Sequence, residues 1–281
     1  FAAPERHYRN PRMGGGSALE VVRTFIIQLR ARRIDRSNMA DQSPPIPPPG
    51  WGDDLVTELI DAARSNQFAT FDNKRNEFNK LVKIDECFCR IIKDWINPSD
   101  LLAPMFMMRS HSAFRTALGC AMAGQIAEVY PLLRTSLEYS GYALHINRHK
   151  DLAEVWLNRH DSAANLKEVR NKFTTGKIRE TIEISDKMLG GVFEELYQRA
   201  IDYGGHPNER GLSTSTEIKE MEGRKLINQA YLHGDGIMLD HALKTVSQSG
   251  ICTLLIFQEI FGPRFELLGV HHDLLELRKG L

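Results

Sequence analysis

From Trp51 onward the apolar positions recur at three and four residues, which is the period of a helix with one face turned inward. Leu55, Leu59, Ile60, Ala63 and Phe68 follow it, as do Phe78, Leu81, Val82, Ile84, Phe88, Ile91, Ile92 and Trp95. Asn97-Pro98-Ser99-Asp100 breaks the pattern with capping residues ahead of an apolar run from Leu101 to Met108. A long pattern then runs from about His111 to Arg148, with Pro131 as a kink or restart point. Shorter helices are predicted at roughly 150–158, 161–171, 176–189 and 191–202, a last long one at 236–261 and a tail helix near 271–279. Alternation of the β type is absent over any length, although Lys225 to Leu232 has the character of a short strand. The reading is an all-α, multi-helix bundle from 51 to 281.

Two segments stand out as its centre. Residues 110 to 144 carry only Arg115, Glu128, Arg134 and Glu138 as charges, and 236 to 261 only Asp240, Lys244 and Glu259. Helices apolar nearly all round are enclosed by others, so these two long helices should be buried at the bundle core. The small residues Ala117, Cys120, Ala121, Ala123 and Gly124 would allow a neighbour to approach closely.

The first fifty residues follow another logic. Eight arginines lie between Phe1 and Arg36 against Glu5, Glu20 and Asp35, and five prolines fall in the six positions 44–49. This is a basic, flexible arm followed by a stiff polyproline spacer. Met39 has the character of an initiator, so residues 1 to 38 read either as an upstream extension foreign to the native protein or as a basic tail that touches nucleic acid or an acidic partner. Lysine plus arginine equals aspartate plus glutamate at 36 each, which gives the whole chain no general attraction to nucleic acid or anionic lipid. The apolar stretch nearest to a membrane span, Gly250 to Gly262, is interrupted by Gln258 and Glu259. Four cysteines, all within apolar helical patterns, read as buried thiols in a reducing cytoplasm.

Candidate chemistry is sparse. Neither H-E-x-x-H nor E-x-x-H occurs, and neither does a P-loop or a G-x-S-x-G elbow, so the motifs imply no metal and no cofactor. What remains is a stripe and two turns. Arg134, Glu138, Tyr142 and His145 are spaced four, four and three apart and share one helix face, either as a structural hydrogen-bond network or as the wall of a polar pocket. Tyr203-Gly204-Gly205-His206-Pro207-Asn208 and Tyr231-Leu232-His233-Gly234-Asp235-Gly236 each set a histidine beside glycines near a helix end, the second leading into Asp240-His241. A pocket drawn from these would contain Arg134, Glu138, Tyr142, Tyr203, His233 and Asp240.

Leu132-Leu133-Arg134-Thr135-Ser136-Leu137-Glu138, followed downstream by Tyr197 and then Tyr203 to Asn208, resembles a group of bacterial all-helical proteins with an "LLRSxLE" helix and a later "Y…HPN" turn. That group is similar to the HEPN superfamily of helical bundles, which includes RNA-cleaving toxins and non-catalytic members. The resemblance covers roughly 105 to 262. It implies RNA as substrate, a second copy of the chain as partner, and an Arg-x(4–6)-His pair as the catalytic groups. Arg199 and His206 have that gap, as do Arg264 and His271. Under this reading His206 is the general acid or base and Arg199 holds the phosphate. The alternative is a non-enzymatic helical module for interaction or regulation. A third is a metal-dependent hydrolase drawing His and Asp from 231 to 241.

Overall fold

The computed structural model describes residues 47–95, 100–221 and 223–280; the basic arm and the 97–99 break fall outside them. Among the described residues eleven α-helices and one hairpin follow one another: α1 (Leu55–Asn73), α2 (Arg75–Ile92), α3 (Leu102–Ala123), α4 (Ile126–Arg148), α5 (Leu152–Leu157), α6 (Ala163–Lys172), α7 (Thr175–Ser185), α8 (Lys187–Ala200), α9 (Glu209–Ser213), β1 (Thr216–Met221), β2 (Arg224–Gln229), α10 (Ile237–Leu267) and α11 (Val270–Leu277). The fold is an all-α bundle. Among the described residues no helix is long and apolar enough to cross a membrane.

Local chemistry sets many of the boundaries. Asp54, Ser162, Thr174, Asp186 and Asn208 each turn a side-chain oxygen onto the first free amides of α1, α6, α7, α8 and α9. The pattern read as one helix from His111 to Arg148 is two, because Gly124 takes a left-handed conformation (φ 80°) and closes α3. Pro131 does not end α4. It lies in the sixth position of that helix and only removes the amide that would have met the Ala127 carbonyl.

α4 lies against α3, α10, α7 and α8, which is why it tolerates so few charges. One apolar cluster gathers Phe88, Met107, Phe114, Tyr130, Leu133, Val246 and Phe257. A second gathers Leu137, Leu144, Ile178, Ile182, Phe193, Leu196 and Ile256. Small hydroxyls tie the three central helices where they cross. Ser110 Oγ donates to the Ser136 carbonyl at 2.7 Å, and Ser136 Oγ lies 3.5 Å from Thr253 Oγ1. The hairpin pairs antiparallel, Ile218 opposite Ile227, and turns through Gly223 (φ 74°). Its first strand escapes the sequence pattern because Thr-Glu-Ile-Lys-Glu-Met has only isolated apolar positions, and both strands are exposed.

Candidate functional site

The α4 stripe is half-buried at Arg134, Glu138 and Tyr142 and buried at His145. Arg134 Nε donates to Glu138 Oε1 at 2.9 Å, and the same oxygen accepts the Tyr197 hydroxyl at 2.9 Å. The guanidinium also covers the Tyr197 ring and reaches the Gly205 carbonyl at 3.4 Å, so α4, α8 and the turn after α8 meet at one residue. Burial works against the Arg134 cation, but Glu138 and Tyr197 outweigh it and hold its pKa above the ordinary value. Further along, Tyr142 donates to the Phe173 carbonyl at 3.4 Å. His145 lies 2.7 Å from Thr181 Oγ1 and 3.3 Å from the Lys172 carbonyl. Burial, then the neighbouring His149, lowers the His145 pKa, which favours a neutral ring.

α8 runs out into a wide turn, Ile201–Gly205, that packs on the first turns of α4. A Cβ on Gly204 would lie 2.4 Å from the Ala127 carbonyl, the group that Pro131 leaves without its helical partner. This close approach seats the Tyr203 ring on Tyr130, with centroids 5.2 Å apart, and 5.3 Å from His241. The Tyr130 hydroxyl meets His241 Nδ1 at 2.9 Å. Burial, then Arg199, lowers the His241 pKa, and burial raises that of Tyr130.

Arg199 turns toward α10. Its guanidinium donates to Gln248 Oε1 at 2.6 Å and to Thr245 Oγ1 at 3.4 Å, and it pairs with Glu195. His206 follows the turn in an extended conformation and is exposed. Among the described residues the two share no hydrogen-bond partner. The other pair of like spacing also diverges: Arg264 binds the carbonyls of Ile91 and Lys93, whereas His271 faces Glu266.

His233 docks on the α3–α4 corner. Its amide donates to the Gly124 carbonyl at 2.8 Å, while its Nε2 lies 3.2 Å from Ser215 Oγ beside a hollow of about 410 Å³ at the hairpin base. Asp240 joins Asp235 around Lys74 Nζ, at 2.8 and 2.7 Å, and these two carboxylates raise the lysine pKa. The predicted pocket is therefore a series that starts at the α3–α4 corner and continues along α4: His233 at Gly124, then Tyr203 at Tyr130, then Arg134 with Glu138. Tyr142 continues that face, and Asp240 is held separately by Lys74.

Neither the family models, nor the curated proteins, nor the solved structures contain a match to this chain.

Two features were missed in the sequence. A groove of about 540 Å³ lies between α8, α10 and the end of α11, floored by Leu189, Leu196, Ile251, Cys252 and Leu255. Met188 and Val192, which stand four apart on α8, are 74% and 40% exposed at its wall. The signal was an apolar stripe on α8 wider than one buried face requires. Burial pushes the Cys252 thiol at the floor up to about 12.

The second feature links α2 to α3. Asp85 Oδ1 lies 2.6 Å from His111 Nε2, and Arg115 grips both Asp85 oxygens at 2.7 Å. Arg115 also reaches Cys89 Sγ at 3.2 Å. Burial favours the neutral Asp85 carboxyl, but Arg115 and His111 overcome it and hold the group well below the usual range. Burial also keeps His111 neutral, although Asp85 opposes it, so its Nε2–H donates to the carboxylate. The signal here was two i, i+4 pairs, Asp85/Cys89 and His111/Arg115, on adjacent helices.

Proposed function

We propose that the protein is a non-enzymatic helical binding module of the regulatory kind, which takes an elongated apolar molecule with one anionic end in the groove between α8 and α10. The observation that carries this reading is the groove itself: an apolar floor, a volume of about 540 Å³ within the range of small-ligand sites, and charges only at the rim. Three of the four rim charges are engaged within the protein. Asp186 caps α8, Glu195 pairs with Arg199, and Lys279 pairs with Glu276. Arg278 is exposed and among the described residues has no ion pair, which leaves it to meet an anion.

The ribonuclease reading rests on Arg199 and His206, and their placement supports it less. The arginine that should hold a phosphate spends its donors on Gln248, Thr245 and Glu195. The deciding experiment is calorimetric titration of the full chain with dodecanoate, with dodecylamine as the cationic control. Dodecanoate should bind, Arg278→Glu should weaken it about tenfold, and Val192→Trp, at a half-exposed position on the wall, should block it. Absence of dodecanoate binding, together with RNA cleavage that His206→Ala abolishes, would transfer the function to the turn after α8.

A further inference from the structure

We infer that Asp85, Cys89 and His111 form a binding site for a zinc-class divalent cation, in which the Arg115 side chain is the counter-charge that the metal displaces. The three ligand atoms lie within 4.8 Å of one another on two adjacent helices. Around a tetrahedral zinc, with bonds of about 2.0–2.3 Å, neighbouring ligand atoms stand about 3.3–3.6 Å apart. Asp85 Oδ2 and Cys89 Sγ already stand 3.7 Å apart. Asp85 Oδ1 and His111 Nε2, now 2.6 Å apart through a hydrogen bond, need to separate by less than about 1 Å.

The donor set selects the metal. One thiolate, one imidazole and one carboxylate suit a borderline-soft ion with four ligands, whereas magnesium and calcium require oxygen cages. Three protein ligands leave the fourth position for water. The ligands are positioned in advance: Asp85 and Cys89 are one helical turn apart on α2, and His111 stacks on the buried Phe88 ring at 4.8 Å.

Arg115 marks where positive charge is stabilised. Its guanidinium sits within hydrogen-bond reach of both the carboxylate and the thiol, yet 55% of the side chain is exposed, so rotation into water is open to it. Binding balances simply. Cys89 Sγ–H releases its proton to solvent, the His111 proton moves from Nε2 to Nδ1, and Nε2, Sγ and a carboxylate oxygen each donate a lone pair to the ion.

The test is titration of the chelator-stripped full chain with cobalt(II), read by the visible thiolate-to-cobalt band, followed by displacement with zinc. One equivalent should bind. Cys89→Ser should lose the band, Cys87→Ser should keep it, and Arg115→Ala should tighten binding about five- to tenfold by removing the competitor. His111→Ala should also lose it, and zinc should raise the melting temperature of wild type but not of Cys89→Ser, which tests the site even if the His111 variant fails to fold. A band absent from both wild type and Arg115→Ala, or one that survives Cys89→Ser, would overturn the assignment.

Discussion

At Gly250, α10 crosses α2 and α3 so closely that a methyl group has nowhere to go. A Cβ there would stand 2.6 Å from Phe114 Cε2 and 2.9 Å from Ile84 Cγ2, against the 3.5–4.0 Å at which carbon atoms attract. Neither neighbour can yield, because both side chains are fully buried and Phe114 is itself packed on Phe88. Gly250→Ala gains about 1 kcal/mol of helix propensity. The two overlaps, at the upper end of overpacking penalties, cost about 3 kcal/mol. The net loss is about 2 kcal/mol, which for a unit of this size lowers Tm by about 4–8 °C. Gly191 in α8 supplies the internal control, since nothing lies within 4 Å of its would-be Cβ. There the same substitution should stabilise by about 0.5–1 kcal/mol. Both are measured by urea unfolding followed by circular dichroism. A Gly250→Ala protein as stable as wild type, with Gly191→Ala unchanged or worse, would refute the close-crossing argument.

Three further outcomes follow from the polar contacts. Tyr197→Phe and Glu138→Gln should each cost about 1 kcal/mol, and the double variant less than their sum, because both remove bonds to one carboxylate oxygen; strict additivity in a double-mutant cycle would contradict the shared acceptor. His111, His145 and His241 all have pKa values lowered from about 6.5 by burial, so the unfolded chain binds protons first as pH falls. The stability they confer is therefore complete above about pH 6.5 and lost progressively below it, and a flat unfolding midpoint between pH 7.5 and 5 would contradict their burial. Lys74→Ala should speed amide exchange at 233–240 while leaving α4 protected, because that lysine holds Asp235 and Asp240 to the start of α2; unchanged exchange there would show the bridge to be idle.

The bundle was legible because its long helices carry almost no charge on any face, and only elements enclosed on all sides read that way. What the pattern could not separate was rotation from position. Arg134, Glu138 and Tyr142 do share a face, as their spacing requires, but spacing does not say that Tyr197 and Gly205 would cover it. Asp240 follows the helical period just as well, and it goes to Lys74 because α10 begins beside the start of α2. The groove and the Asp85 cluster were harder still. The groove is assembled from helices distant in the chain, and the Asp85 cluster from two successive helices whose relative rotation the spacing does not fix, so no single local motif encodes either.

The proline in α4 also has a structural effect far along the chain. By taking away one amide it exposes a carbonyl on the inner turn of an otherwise closed rod, and a distant glycine nests against that oxygen. The two positions are thus a lock and its key. An alanine at 131 would mend the rod and withdraw the notch, whereas any side chain at 204 would lift the whole aromatic corner off its seat. A homologue that loses either one is expected to have rebuilt the other.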